Sequence, residues 1–156
     1  MSLALEEPRP EFQSAKKEKD EKNPQLPTFR VLVAEDDPVS LSVAVKQMEL
    51  LGCQVTAVED GQKALELLRK NVFDVILMDI QMPNMDGVEA TRAIRQGRAG
   101  EDKKDIPIVA MTAYALLGDR EKFLETGMNE YISKPVELEA LKKVLLTLSE
   151  GDRNPE

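Results

Sequence analysis

From Phe29 to Glu150 short apolar runs alternate with amphipathic stretches, an order that specifies strand-then-helix units, five in all. The run Phe29 to Ala34 predicts a first strand. Pro38 suits a first helical turn and opens a stretch with Leu41, Val45, Met48 and Leu51 on one face, which Gly52 ends. Gln54 to Val58 reads as the second strand and Gly61 to Lys70 as the second helix, with Ala64, Leu67 and Leu68 inward. Val75 to Met78 is uninterrupted apolar sequence, as expected of a central parallel strand covered on both faces, and it ends at Asp79. After the loop Ile80 to Met85, Asp86 is placed to cap a helix reaching about Gln96, and the polar stretch Gly97 to Asp105 reads as a surface connection. Ile108 to Met111 is the fourth strand, Leu116 to Thr126 the fourth helix and Gly127 its stop. Tyr131 and Ile132 fall in a short fifth strand. Val136 to Leu148 closes the domain, with Leu138, Leu141, Leu145 and Leu148 at helical spacing.

The ends differ from this pattern. Residues 1–28 hold 7 apolar residues but 4 of the 9 prolines, and a mixed-charge run from Lys16 to Lys22, which predicts a disordered linker and no signal peptide. The domain is expected over residues 29–150, with 151–156 a fraying tail.

At 156 residues, 42% hydrophobic and 32% charged, the chain suits one domain with a real core plus a tail. No apolar run approaches the ~18 residues of a membrane span, so a soluble, cytoplasmic protein without membrane contact is expected. With 21 Lys and Arg against 29 Asp and Glu the formal charge is −8, and no long basic run is present to displace counterions from a phosphate backbone. Nucleic acid is therefore not an expected direct ligand. The chain has no histidine, which excludes Ser-His-Asp and Cys-His triads, imidazole metal sites and a phosphohistidine within it. Any catalysis must run on carboxylates. Cys53, the single cysteine, cannot form an internal disulfide and reads most simply as a small buried apolar residue.

In an open parallel sheet the functional crevice lies beyond the carboxyl ends of the strands, at the point where the chain switches direction across the sheet. Strand one is followed by Glu35-Asp36-Asp37, strand three by Asp79, strand four by Thr112-Ala113 and strand five by Lys134-Pro135. Each alone has a bland explanation: helix cap, turn residue or solvated surface charge. Together they bring carboxylates, a hydroxyl and an ammonium to one edge. Carboxylates packed with few cations repel one another unless a hard divalent ion neutralises them, and an all-oxygen set with room for water suits magnesium. Met82 and Met85 flank Pro83 and read as loop packing, because soft thioethers do not select magnesium. Asp60-Gly61 reads as a turn and helix start.

These motifs, in this order, resemble the receiver domain of two-component response regulators over essentially all of Phe29 to Leu148. Val31-Leu32-Val33-Ala34-Glu35-Asp36-Asp37 is similar to the family's first-strand acidic pair, and Ile76 through Gly87, with Met78-Asp79-Ile80-Gln81-Met82-Pro83, to its phosphoacceptor loop. Ala110-Met111-Thr112-Ala113 is similar to its switch threonine segment and Tyr131-Ile132-Ser133-Lys134-Pro135 to its lysine motif. The phrasing of Met78 to Gly87 and Met111 to Leu117 most resembles receivers of hybrid sensor histidine kinases.

The resemblance implies a doubly wound, flavodoxin-like α/β fold with a five-stranded parallel sheet in the order 2-1-3-4-5, which right-handed crossovers and a cleft between strands one and three also require. It implies Asp79 as the nucleophile that takes a phosphoryl group from a phosphohistidine on another protein. Magnesium would be held by Asp36, Asp79 and the backbone carbonyl of Gln81, with Glu35 acting through the metal's waters and Asp37 outside the set. Lys134 would pair with Asp79 and then with a phosphoryl oxygen, Thr112 would bond another phosphoryl oxygen, and Ala113 would leave space for the group. Thr112 and Tyr131 would form the switch, with Leu116, Leu117 and Phe123 as candidate exposed residues on the responding face. A cis Lys134-Pro135 bond is implied too. The expected partners are a histidine kinase, a histidine phosphotransfer domain, or both, the domain being a monomer or a phosphorylation-linked dimer. Output is expected from elsewhere in a longer protein or from another chain, since no output domain follows Leu148.

Two other classes compete. A haloacid-dehalogenase-type phosphohydrolase needs a second Asp two residues after the nucleophile, where this chain has Gln81. A phosphorylation-independent pseudo-receiver would be expected to lose Asp79, the acidic pair or Lys134, and all are present. Gln81 and Tyr114 border the expected approach of hydrolytic water; a bulky Tyr114 and a Gln81 without a carboxylate predict slow self-dephosphorylation.

Overall fold

The computed structural model describes residues 28–113 and 119–153. The expected linker and Tyr114, Leu116 and Leu117 lie outside the described residues. Five strands, β1 (Arg30–Ala34), β2 (Gln54–Val58), β3 (Val75–Asp79), β4 (Ile108–Thr112) and β5 (Glu130–Ser133), form one sheet in the order β2-β1-β3-β4-β5. Every neighbouring pair is parallel, with Leu32 opposite Ile76 and Met78 opposite Ala110. The sequence-predicted fold is the observed one.

The side-chain period of two explains how an all-apolar strand builds two cores. Leu32, Ala34, Ile76, Met78, Ile108 and Ala110 face one layer. It is supplied by helices α2 (Gly61–Lys70) and α3 (Gly87–Arg95), through Ala64, Leu65, Leu68, Ala90 and Ile94. The alternate residues Val31, Val33, Val75, Leu77, Val109 and Met111 face the other layer, supplied by α1 (Pro38–Leu50) and α5 (Leu138–Arg153) through Ala44, Met48, Leu141 and Leu145. Each such leucine or methionine buried contributes about 1.5–3 kcal/mol. Cys53 joins the second core, and burial pushes its thiol pKa up.

Aspartates begin three of the helices. Asp37 accepts from the backbone N–H of Ser40, Asp60 from that of Lys63, and Asp86 forms a reciprocal capping box with Glu89. Departures from the pattern reading are local. In α2 the inward positions are 61, 64, 65 and 68, so Leu65 is buried and Leu67 only half-buried, a rotation of the apolar face by about a sixth of a turn. The connection after α3 contains a 3-10 turn (Glu101–Lys103) and buries Ala99. The described part of the fourth helix, α4, is Asp119–Glu125, and Gly127 follows it at φ 109°. The closing helix begins two residues later than Val136 and runs on to Arg153, so its backbone continues into the residues read as a tail.

Opposite the site, Arg30 opens β1 beside Asp74, whose Oδ2 accepts from the Arg30 backbone N–H at 2.7 Å and whose Oδ1 lies 3.2 Å from its guanidinium. Burial alone would raise the Asp74 pKa; the Arg30 contacts outweigh it and lower the value. A lowered folded-state pKa gives stability that is complete above the unfolded value of about 3.9 and lost as pH falls through the folded one. Asp74→Asn should cost up to about 1 kcal/mol at pH 7 in urea unfolding, the range of a half-exposed pair, with the deficit shrinking toward pH 2.5. An equal deficit at both pH values would contradict this. A Cβ at Gly87 would lie 2.2 Å from the Asp79 carbonyl oxygen, a backbone atom that cannot step aside. Gly87→Ala should therefore lower stability by about 1–3 kcal/mol, and an unchanged urea midpoint would refute the contact.

Candidate functional site

The carboxyl ends of β1, β3, β4 and β5 meet at one edge because parallel strands deliver their ends to the same side. Asp79 is the last residue of β3 and Thr112 the last of β4, while Glu35 follows β1 and Lys134 follows β5. Glu35 is 0% exposed, Asp79 4% and Thr112 6%, whereas Asp36 is exposed. Backbone bonds fix these positions: Glu35 N–H donates to the Val58 carbonyl at 3.0 Å, Ile80 N–H to Met111 at 3.1 Å and Lys134 N–H to Thr112 at 2.8 Å. The Lys134-Pro135 bond is cis, as the resemblance implied.

Lys134 Nζ lies 2.7 Å from Glu35 Oε1 and 3.1 Å from Asp79 Oδ1. Burial would pull the lysine pKa down, but the two carboxylates outweigh it and raise the value, so the ammonium stays charged at neutral pH. Burial pushes the Glu35 pKa up and the neighbouring Asp79 adds to that, against Lys134 and the Asp37 N–H, which donates to Glu35 Oε2 at 3.1 Å. The Gln81 N–H reaches Asp79 Oδ1 at 3.4 Å.

Carboxylate oxygens of Glu35, Asp36 and Asp79 lie within 4.8 Å of one another. Three carboxylates against one ammonium leave a formal excess of two negative charges, which a divalent cation cancels. The donors are hard oxygens and Asp36 opens to solvent, leaving room for the metal to keep waters, which fits magnesium. The cleft above them holds about 670 Å³ and is bordered also by Gln81, exposed Ala113 and Phe123.

The structure thus brings together Glu35, Asp36, Asp79, Gln81, Thr112, Ala113 and Lys134. Asp37 is occupied as the α1 cap, consistent with its exclusion from the metal set. Tyr131 is half-buried, with its ring centroid 5.7 Å from that of Phe123 on α4. Phe123 is likewise half-buried, so it is a packing residue more than an exposed one. Met82 and Met85 pack against the core, as loop packing required. Sequence reading found Asp60 as a helix start but missed its bond to Asn84, 2.9 Å across a separation of 24 residues that leaves no local signal.

Comparison with known proteins agrees with this geometry. The family model for the response regulator receiver domain matches residues 31–146. Sensor protein GacS of Pseudomonas syringae pv. syringae is 40% identical over 117 residues, 75% of this chain and 13% of that protein. Hybrid signal transduction histidine kinase I of Dictyostelium discoideum is 42% identical over 128 residues, 79% of this chain and 7% of that protein. The chain therefore spans about an eighth or less of the length of these relatives. Among solved structures, the receiver domain of a sensor histidine kinase from Pseudomonas aeruginosa PAO1 is 40% identical with a TM-score of 0.69, covering 78% of this chain and 97% of that one. That structure has a magnesium ion coordinated in its active site cleft. The receiver domain of the Saccharomyces cerevisiae response regulator Ssk1, solved with the histidine phosphotransfer protein Ypd1, is 29% identical with a TM-score of 0.68, over 77% of this chain and 88% of that one. On sequence, sheet order and the grouping of its acidic edge, the chain belongs to the response regulator receiver domain family of two-component signalling.

Proposed function

We propose that this receiver domain takes a phosphoryl group from a phosphohistidine onto Asp79 in a magnesium-dependent reaction, and that the modified site switches a protein-interaction surface. The observation that carries the reading is Asp79 itself: a carboxylate 4% exposed, 3.1 Å from the Lys134 ammonium and grouped with Glu35 and Asp36 at the mouth of the cleft. With no histidine among the 156 residues, the donor imidazole lies outside them, on a histidine kinase or a histidine phosphotransfer domain. The complex of the yeast receiver with its phosphotransfer protein supports that class of partner.

An Asp79 carboxylate oxygen attacks phosphorus in line with the phosphorus–nitrogen bond; a P–O bond forms, the P–N bond breaks and its electron pair stays on the imidazole nitrogen. Magnesium, when bound by Asp36, Asp79 and the Gln81 carbonyl with Glu35 acting through water, supplies the charge neutralisation that lets two anions meet. Lys134 exchanges its bond to Asp79 for one to a phosphoryl oxygen, the Thr112 hydroxyl holds a second oxygen, and Ala113 leaves the entrance open. Movement of Thr112 toward the phosphoryl group makes room for Tyr131 to turn inward. Its ring is stacked at a tilt on Phe123, so that turn is passed to α4 and alters the face made by α4, β5 and α5. Gln81, an amide, provides no general base for hydrolysis, so the aspartyl phosphate decays slowly.

A small phosphodonor with magnesium should label Asp79 stoichiometrically by intact-mass measurement, and both chelation and Asp79→Ala should abolish the label. A label that survives in Asp79→Ala would overturn the assignment. Asp36→Ala should weaken magnesium binding at least ~10-fold in calorimetry, as expected for a lost direct ligand. Unchanged affinity would remove Asp36 from the metal set.

A further inference from the structure

The loop that leaves Asp79 contains the one non-glycine residue at positive φ among the described residues, Asn84 at 65°. Asparagine tolerates the left-handed region better than other side chains, because its short amide bonds locally. Here the amide bonds far away in sequence. Asn84 Nδ2 donates to Asp60 Oδ2 at 2.9 Å, while Asp60 Oδ1 accepts the Lys63 backbone N–H at 2.8 Å. Asp60 is 5% exposed, so each carboxylate oxygen of this buried group has a donor. Beside it, the Gly61 N–H donates to the Met85 carbonyl at 3.0 Å, and a Cβ at Gly61 would stand 2.6 Å from that oxygen.

The far half of the loop is thus fastened to the first turn of α2. Its near half holds Gln81, whose N–H reaches the Asp79 carboxylate. The two ends of the loop are closed on one another by Gly87 N–H to the Ile80 carbonyl at 3.0 Å, and Met85 N–H to the Pro83 carbonyl at 2.7 Å closes a tight turn about Asn84. Residues 81 and 82 have no partner strand, so their placement depends on these fastenings at either end. We propose that Asp60 and Asn84 are positioning residues for the phosphoacceptor site: their side-chain bond holds the loop after β3 in the shape that presents the Gln81 carbonyl to magnesium. The inference rests on the reading of this edge as a magnesium-dependent phosphoacceptor site. It adds two residues that touch neither metal nor phosphoryl group.

Two variants remove the bond while sparing the backbone. Asn84→Gly keeps the left-handed conformation accessible and deletes only the amide. Asp60→Ser keeps a competent helix cap but is too short to reach Asn84. Magnesium titration by calorimetry, with the Gln81 amide resonance followed in parallel, should show affinity lowered about 10-fold in each variant. The double variant should be no worse than either single one, since both remove the same bond. Labelling of Asp79 by a small phosphodonor should be slowed at sub-saturating magnesium and recover at saturating magnesium, a pattern that a general loss of stability does not produce. Magnesium affinities within twofold of wild type in both single variants, or fully additive losses in the double, would overturn the proposal. Failure of the wild-type domain to bind magnesium would instead sink the underlying site reading, and the proposal with it.

Discussion

The ammonium of Lys134, lodged between Glu35 and Asp79, is the interaction around which the site is organised. Two carboxylates that are almost wholly removed from water repel each other and lose hydration, a penalty of several kcal/mol per ion that pairing must offset. One cation serves both, so the ends of β1, β3 and β5 are drawn to a single point across the sheet. The pair is incompletely balanced, because Asp36 adds a further carboxylate at the open side. The site is therefore poised to gain stability from a divalent cation.

The fold keeps this electrostatic tension away from the parts that give stability. Both core layers are built from the alternating faces of β1, β3 and β4, whose residues are buried almost without exception. At the far end from the cleft, Arg30 and Asp74 join β1 to β3, and Arg95 ties the end of α3 to the carbonyls of Lys104, Ile106 and Gly127. The cleft end is held differently. Its loops are pinned by helix caps, by the close approach of Gly87 to Asp79 and by the Asp60–Asn84 bond.

Much was legible in the sequence because its signals are short-range. Apolar runs of four or five residues, an aspartate ahead of each of three helices and Gly127 after α4 give strand, cap and stop without reference to the rest of the chain. The convergence of Glu35, Asp79, Thr112 and Lys134 was also legible, since a parallel sheet with right-handed crossovers sends every strand end to one side.

What only the tertiary structure decided depends on phase and on distance across the fold. A rotation of α2 by about a sixth of a turn puts Leu65 in place of Leu67 at the core, a difference too small for a hydrophobic pattern to resolve where both are leucine. Asp36 and Asp37 are chemically identical neighbours that only the family resemblance told apart in the sequence; in the fold one faces the carboxylate cluster and the other caps α1, because the chain turns into the helix between them. The bond from Asn84 to Asp60 and the packing of Tyr131 on Phe123 join elements that folding brings together and sequence keeps apart. Local propensity and periodicity determine which elements form and at which end the charges gather. The pairing of individual side chains is settled only when the layers close, since it is then that burial removes water and leaves each polar group to find a partner within the protein.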